Sequence, residues 1–138
     1  MKTLAAVVTE IGKPLSLMEL DIEEPRDDEI LVRIVATGVC HTDLVVQAGM
    51  LPVPLPVTLG HEGAGVVEKI GAKVSKVKPG DHVVLSFNSC GSCARCIDKE
   101  PAYCYEFLPR NFGATREDGT TALSKENSPV HSNFFSLS

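Results

Sequence analysis

Residues 60 to 70 read Gly-His-Glu-Gly-Ala-Gly-Val-Val-Glu-Lys-Ile, and how their three glycines are read decides between two folds. A nucleotide-binding parallel fold needs G-x-G-x-x-G at a turn from strand into helix. Here Gly63-Ala64-Gly65 runs into Val66-Val67-Glu68, so the third glycine is missing and the residues that follow suit a strand. His61 to Ile70 is expected to be a bent strand with a neighbouring backbone passing close at the glycines. No long amphipathic helix elsewhere could cross between strands, so repeated βαβ units and a dinucleotide-binding parallel sheet are not encoded in these residues.

Outward from this stretch the chain reads as β structure punctuated by turns. Thr3 to Thr9 and Leu15 to Asp21 are expected as the arms of a hairpin, with turn chemistry in Ile11-Gly12-Lys13-Pro14. Glu29 to Thr37 is rich in β-branched residues and predicts a strand ended by Gly38. Cys40 to Gly49 predicts one short helix with Gly49 as its stop. Met50 to Leu59 carries proline at 52, 54 and 56, which excludes a helix and a central strand and suits an extended surface loop. Lys78-Pro-Gly-Asp81 is a turn into a strand from His82 to Phe87. Tyr105 to Pro129 shows little periodicity and is expected to be a mostly irregular excursion, with a returning strand over His131 to Ser136. The expected architecture is a small, mostly antiparallel barrel or curled sheet with one or two short helices and a metal-bearing lobe.

The 138 residues are about one domain, enough to bury a core without covalent staples. The formal net charge is −5, from 13 Lys and Arg against 18 Asp and Glu, so the basic field a nucleic-acid partner requires is absent. No apolar run approaches the roughly 20 residues of a membrane span, and the first residues lack the form of a signal peptide. A cytoplasmic protein is expected, and in a reducing compartment clustered cysteines favour metal or catalysis over disulfides.

Four of the five cysteines fall within residues 90 to 104, as Cys90-x2-Cys93-x2-Cys96-x7-Cys104. Four thiolates complete the tetrahedral preference of zinc and leave no open position, which is the pattern of a structural site. An iron–sulfur cluster is the first alternative, although the ferredoxin run continues x3-C-P where seven residues intervene here. A disulfide set is the second. Arg95 and Lys99 are placed to balance the net charge of a four-thiolate zinc centre.

The fifth, Cys40, stands in Gly38-Val-Cys-His-Thr-Asp43, and His61-Glu62 follows about twenty residues on. Cys40 and His61, with Glu62 as a third donor, are candidates for a second metal site. A nucleophile and base pair, or a buried inert cysteine beside two histidines, are the competing readings.

Taken together, Gly38 to Asp43, Gly60 to Val74, Lys78 to Val83 and the four-cysteine loop resemble, in order and spacing, the zinc-dependent medium-chain alcohol dehydrogenases. The likeness extends along essentially the whole chain and is greatest to aryl- and benzyl-alcohol dehydrogenases. It implies a GroES-like, partly open antiparallel β-barrel over residues 1–138, with the structural-zinc loop at 88–104. It implies Cys40 and His61 as catalytic-zinc ligands, Glu62 as a neighbour that coordinates transiently, and Asp43 as the acceptor that orients His61. Thr42 would pass the substrate proton outward, His41 would meet the cofactor pyrophosphate or extend the relay, and Phe87 is a candidate pocket wall. Cys90, Cys93, Cys96 and Cys104 would hold the lobe zinc.

The family's third catalytic ligand, usually a cysteine, and its NAD-binding Rossmann domain fall beyond Ser138 in this pattern. The expectation is a fragment of a dehydrogenase for small alcohols and aldehydes, aromatic ones among them, inactive alone and with its catalytic zinc site incomplete. A stand-alone zinc-binding interaction module is the alternative.

Overall fold

The computed structural model describes residues 1–132. Strands β1 (Lys2–Val8) and β2 (Ser16–Ile22) form the expected hairpin, in register from Lys2 opposite Asp21 to Val7 opposite Ser16. Strand β3 (Ile30–Thr37) leads to helix α1 (His41–Gln47), after which Gly49 turns the chain at φ 76°, a conformation that suits glycine. Next come β4 (Val57–Thr58), β5 (Gly63–Ile70) and β6 (His82–Val84). The cysteine lobe follows with α2 (Ala94–Ile97), a 3₁₀ turn at Pro101–Tyr103 and α3 (Phe107–Phe112). Strands β7 (Leu123–Lys125) and β8 (Ser128–Ser132) complete the described residues. No helix among them is long and apolar enough to cross a membrane.

Five strands close into a barrel in the order β1-β2-β7-β8-β4, and β3-β5-β6 make a separate three-stranded antiparallel sheet. The barrel is more completely closed than the sequence suggested, and its closing pair, β4 with β8, is parallel. Val7, Leu20, Leu123 and Val130 from four of its strands meet in the core, with Ala5, Met18 and Ile22 packed around them. Burying side chains of this size stabilises a fold by about 1.5–3 kcal/mol each. In the second sheet β5 approaches β3 so closely at Gly65 that a Cβ there would stand 2.8 Å from Val32 Cγ1 and nearer still to the Arg33 carbonyl. The pairing is irregular on either side, with shifts at Leu31/Val32 and Ile34/Ala36. This is the close approach expected at the glycines.

Four expectations need correction. The proline-rich stretch ends in a strand inside the barrel, because Val57 and Thr58 directly follow Pro56 and pair with β1 and β8. The strand expected to reach Phe87 ends at Val84. Residues 105 to 129 hold elements that the expected excursion did not include, α3, which forms despite Pro109, and β7, with turns and bends between them. The β7–β8 turn is made by Glu126 and Asn127 at positive φ without glycine. The returning strand therefore begins at Ser128, and its expected continuation to Ser136 lies partly outside the described residues.

The segment after α3 is fastened to the barrel by charge. Arg116, with a side chain 6% exposed, donates from Nε and Nη2 to Glu29 at 2.6 and 2.9 Å and from Nη1 to Glu23 at 2.7 Å. Arg26 reaches back to Asp118 at 2.7 Å and to Thr120 at 2.8 Å. A planar guanidinium gripping one carboxylate with two bonds fixes orientation as well as distance.

Candidate metal centres

The lobe is aimed by an amide. Asn111 on α3 is buried and donates from Nδ2 to the carbonyls of Asn88 and Phe107 at 2.9 and 2.7 Å, while its Oδ1 accepts the Asn88 N–H at 2.7 Å. The backbone is thus held two residues before Cys90. Cys93 caps α2, Cys96 lies within that helix, and Cys104 follows the 3₁₀ turn, so two short local structures place three of the four sulfurs. Their ligand atoms all lie within 4.8 Å of one another.

Cys90 and Cys96 sulfurs are 3.9 Å apart, and those of Cys93 and Cys96 are 3.6 Å apart. A tetrahedral zinc with bonds of 2.3 Å requires sulfurs about 3.8 Å apart, so the four fit a single tetrahedral ion. A bonded disulfide would need about 2.05 Å. Backbone N–H groups also point at sulfur: Cys93 N–H at Cys90 Sγ, 3.3 Å, and Cys90 N–H at Cys104 Sγ, 3.4 Å. Such donors favour the thiolate. The backbone N–H groups of Ser92 and Cys93 bring the Cys90 thiol down to about 6, whereas burial pushes Cys96 up to about 11. Of the two residues expected to balance this charge, Arg95 is engaged elsewhere as well, its guanidinium bonding Glu100 at 3.1 Å.

The second cluster joins the two sheets' connections. Cys40 precedes α1, and His61 and Glu62 lie just before β5; one ligand atom from each falls within 4.8 Å of the others. Asp43 on the first turn of α1 organises them. Its Oδ2 accepts the Cys40 N–H at 3.0 Å, its Oδ1 accepts the Gly60 N–H at 3.2 Å, and Oδ1 lies 3.5 Å from His61 Nδ1. Thr42 Oγ1 is 3.4 Å from Cys40 Sγ, while His41 is exposed on the first residue of the helix. A sulfur, an imidazole and a carboxylate brought this close together match the donor types of a three-ligand zinc site.

Phe87 packs at a tilt of 53° against Phe107 of α3, with ring centroids 5.5 Å apart. A cleft of about 450 Å³ lies elsewhere, beside β7 and β8, between Glu23, Thr120 and His131. None of the candidate residues lines it. Sequence reasoning missed Asn111, a lone amide in a stretch without periodicity, and the slot at Gly38 beside Glu62.

Residues 26–126 match the family model described as the alcohol dehydrogenase GroES-like domain. The chain is 53% identical over 135 residues to geraniol dehydrogenase of Castellaniella defragrans, covering 97% of this chain and 36% of that protein. Its fold superposes on the crystal structure of an alcohol dehydrogenase zinc-binding domain protein from Burkholderia ambifaria with a TM-score of 0.94, at 50% identity, covering 98% of this chain and 37% of the other. Benzyl alcohol dehydrogenase of Acinetobacter calcoaceticus gives 0.90 at 47% identity, covering 98% and 36%. The chain therefore spans a little over a third of the length of these relatives.

Proposed function

The chain belongs to the alcohol dehydrogenase GroES-like domain family, and from that premise we propose that it is the zinc-binding catalytic domain of an NAD-dependent dehydrogenase acting on small alcohols and aldehydes. The observation that carries the reading is the convergence of Cys40, His61 and Glu62 in front of Asp43. Cys40, His61 and Glu62 would hold a catalytic zinc; Cys90, Cys93, Cys96 and Cys104 would hold a structural one.

When bound at the first of these sites, zinc supplies the Lewis acidity that lowers the pKa of an alcohol oxygen. The chain's own residues supply the rest. Asp43 fixes the backbone at Cys40 and at Gly60, and so sets where the thiolate and the imidazole stand. With Nδ1 facing Asp43, the His61 ring presents Nε2 as its donor. Thr42 Oγ1, beside the Cys40 sulfur, would accept a proton from the substrate hydroxyl while giving up its own, and exposed His41 would extend that relay toward solvent or meet a cofactor phosphate.

These 138 residues carry no G-x-G-x-x-G turn, and among the described strands parallel pairing is limited to the two-residue β4 with β8. We assign nicotinamide binding to the portion of the relatives' length that this chain does not span. Holding the cofactor at reacting distance contributes about 7–11 kcal/mol of barrier reduction, so these residues alone should not turn over.

Elemental analysis tests the metal reading and NADH absorbance with benzyl alcohol tests the rest. Up to two zinc ions per chain, the one at the Cys40 centre incompletely ligated and weakly held, and no turnover are expected. One ion, confined to the lobe, would leave a zinc-binding interaction module instead.

A further inference from the structure

β3 and β5 stay paired as far as Thr37 opposite Gly63, and one residue further on the Gly38 N–H donates to the Glu62 carbonyl at 3.2 Å. At this point the Glu62 side chain folds back over the Gly38 backbone. A Cβ on residue 38 would overlap Glu62 Oε2 outright and stand 3.0 Å from Cδ and 3.1 Å from Cβ. The Gly38 φ lies outside the left-handed region, so its backbone conformation is open to alanine. What a side chain there would meet is the end of the exposed Glu62 carboxylate, which would have to move.

Glu62 is exposed, and a long exposed carboxylate ordinarily samples many rotamers. We propose that Gly38 is a positioning residue of the Cys40 centre: the space left by its missing Cβ is the slot that lets the Glu62 carboxylate lie toward Cys40 and His61. This rests on reading those three residues as a metal site. Gly38 touches neither the metal nor substrate; it acts only through Glu62. A methyl group there would turn the carboxylate out and leave a centre of one sulfur and one imidazole, with Cys40, His61 and Asp43 untouched.

Cadmium-113 is the probe, read by NMR on the 138-residue chain. Two resonances are expected, one from the four-thiolate lobe and one that disappears in Cys40→Ser. Gly38→Ala should move the second resonance to its position in Glu62→Ala, leave the lobe resonance in place, and weaken cadmium binding at the Cys40 centre about 10- to 100-fold, the range for losing a supporting group at a metal site. The double variant Gly38→Ala/Glu62→Ala should bind as Glu62→Ala does, because the carboxylate to be displaced is already gone. That comparison needs no stable Gly38→Ala single variant. An unmoved resonance in Gly38→Ala, or a further loss of affinity in the double variant, overturns the role of Gly38 while leaving the metal site standing. Absence of any Cys40-dependent resonance in the unaltered chain overturns the metal site, and the role of Gly38 with it.

Discussion

Asp43 is bonded to Gly60 across seventeen residues of sequence, its Oδ1 accepting the glycine N–H at 3.2 Å. Because its other oxygen accepts the Cys40 N–H, one buried carboxylate sets the separation between the start of α1 and the segment that carries His61. The candidate centre thus depends on a residue that contributes no ligand atom to it.

Asp43→Ala should lower stability by about 1–3 kcal/mol, since two partly buried backbone donors lose their acceptor. Cadmium affinity at the Cys40 centre should fall about 10- to 100-fold, while the lobe is unaffected. Urea unfolding at constant m-value measures the first effect and NMR titration the second. Loss of affinity at both centres would mean that Asp43 serves the fold alone.

Zinc should leave for a chelator in two phases. The lobe offers four thiolates and no open position, whereas the Cys40 centre has a single thiolate and an exposed carboxylate. The fast phase belongs to the latter. Cys93→Ser should abolish the slow phase and leave the β-sheet circular dichroism intact, because the barrel strands lie outside the lobe. Release of both ions at one rate would contradict this assignment.

Arg116→Met should destabilise the chain by about 1–3 kcal/mol, between an exposed and a buried pair, since partly buried Glu29 would keep its charge without its partner. Burial alone would raise the Glu29 carboxyl, but hydrogen bonds from the Arg116 guanidinium and the Arg26 N–H outweigh it and hold the pKa below the usual value. A carboxyl depressed in the folded state contributes stability above its unfolded value of about 4.3, and loses it as pH falls through the folded value. Denaturation midpoints of the unaltered chain should therefore fall below about pH 4, and those of Arg116→Met should fall less steeply. Parallel profiles would show that the clamp is not coupled to protonation.

In the metal-free chain, iodoacetamide at pH 7 should label Cys90 well before Cys96. Cys90, at about 6, is mostly thiolate there, while Cys96, at about 11, remains a thiol. Peptide mapping reads the order, and zinc should protect both. Labelling of Cys96 first would show that burial does not govern its sulfur.

Much of the first half of the fold was legible because its signals are local. Gly12-Lys13-Pro14 announces the hairpin, the β-branched run from Ile30 announces β3, and Gly49 announces the end of α1. The second half depends on partners distant in sequence. Val57 and Thr58 become a strand only because β1 and β8 stand on either side, and Glu126-Asn127 turns without the glycine that would have marked it. The two ligand clusters could be named from cysteine spacing and the family resemblance. What positions them could not: the Asn111 amide and the slot at Gly38 are contacts between segments, and neither residue type at those positions signals its partner.

The parallel pairing of β4 with β8 also bears on synthesis. Thr58 bonds to the His131 carbonyl 73 residues further on, so the last staves of the barrel arrive after the entire cysteine lobe. At about 5–20 residues per second on a ribosome, that interval is roughly 4–15 s. For that time the hairpin and β4 emerge with an unpaired hydrogen-bonding edge, the kind of edge that recruits other strands. The nascent barrel is thus most open to misassembly while the lobe is being made.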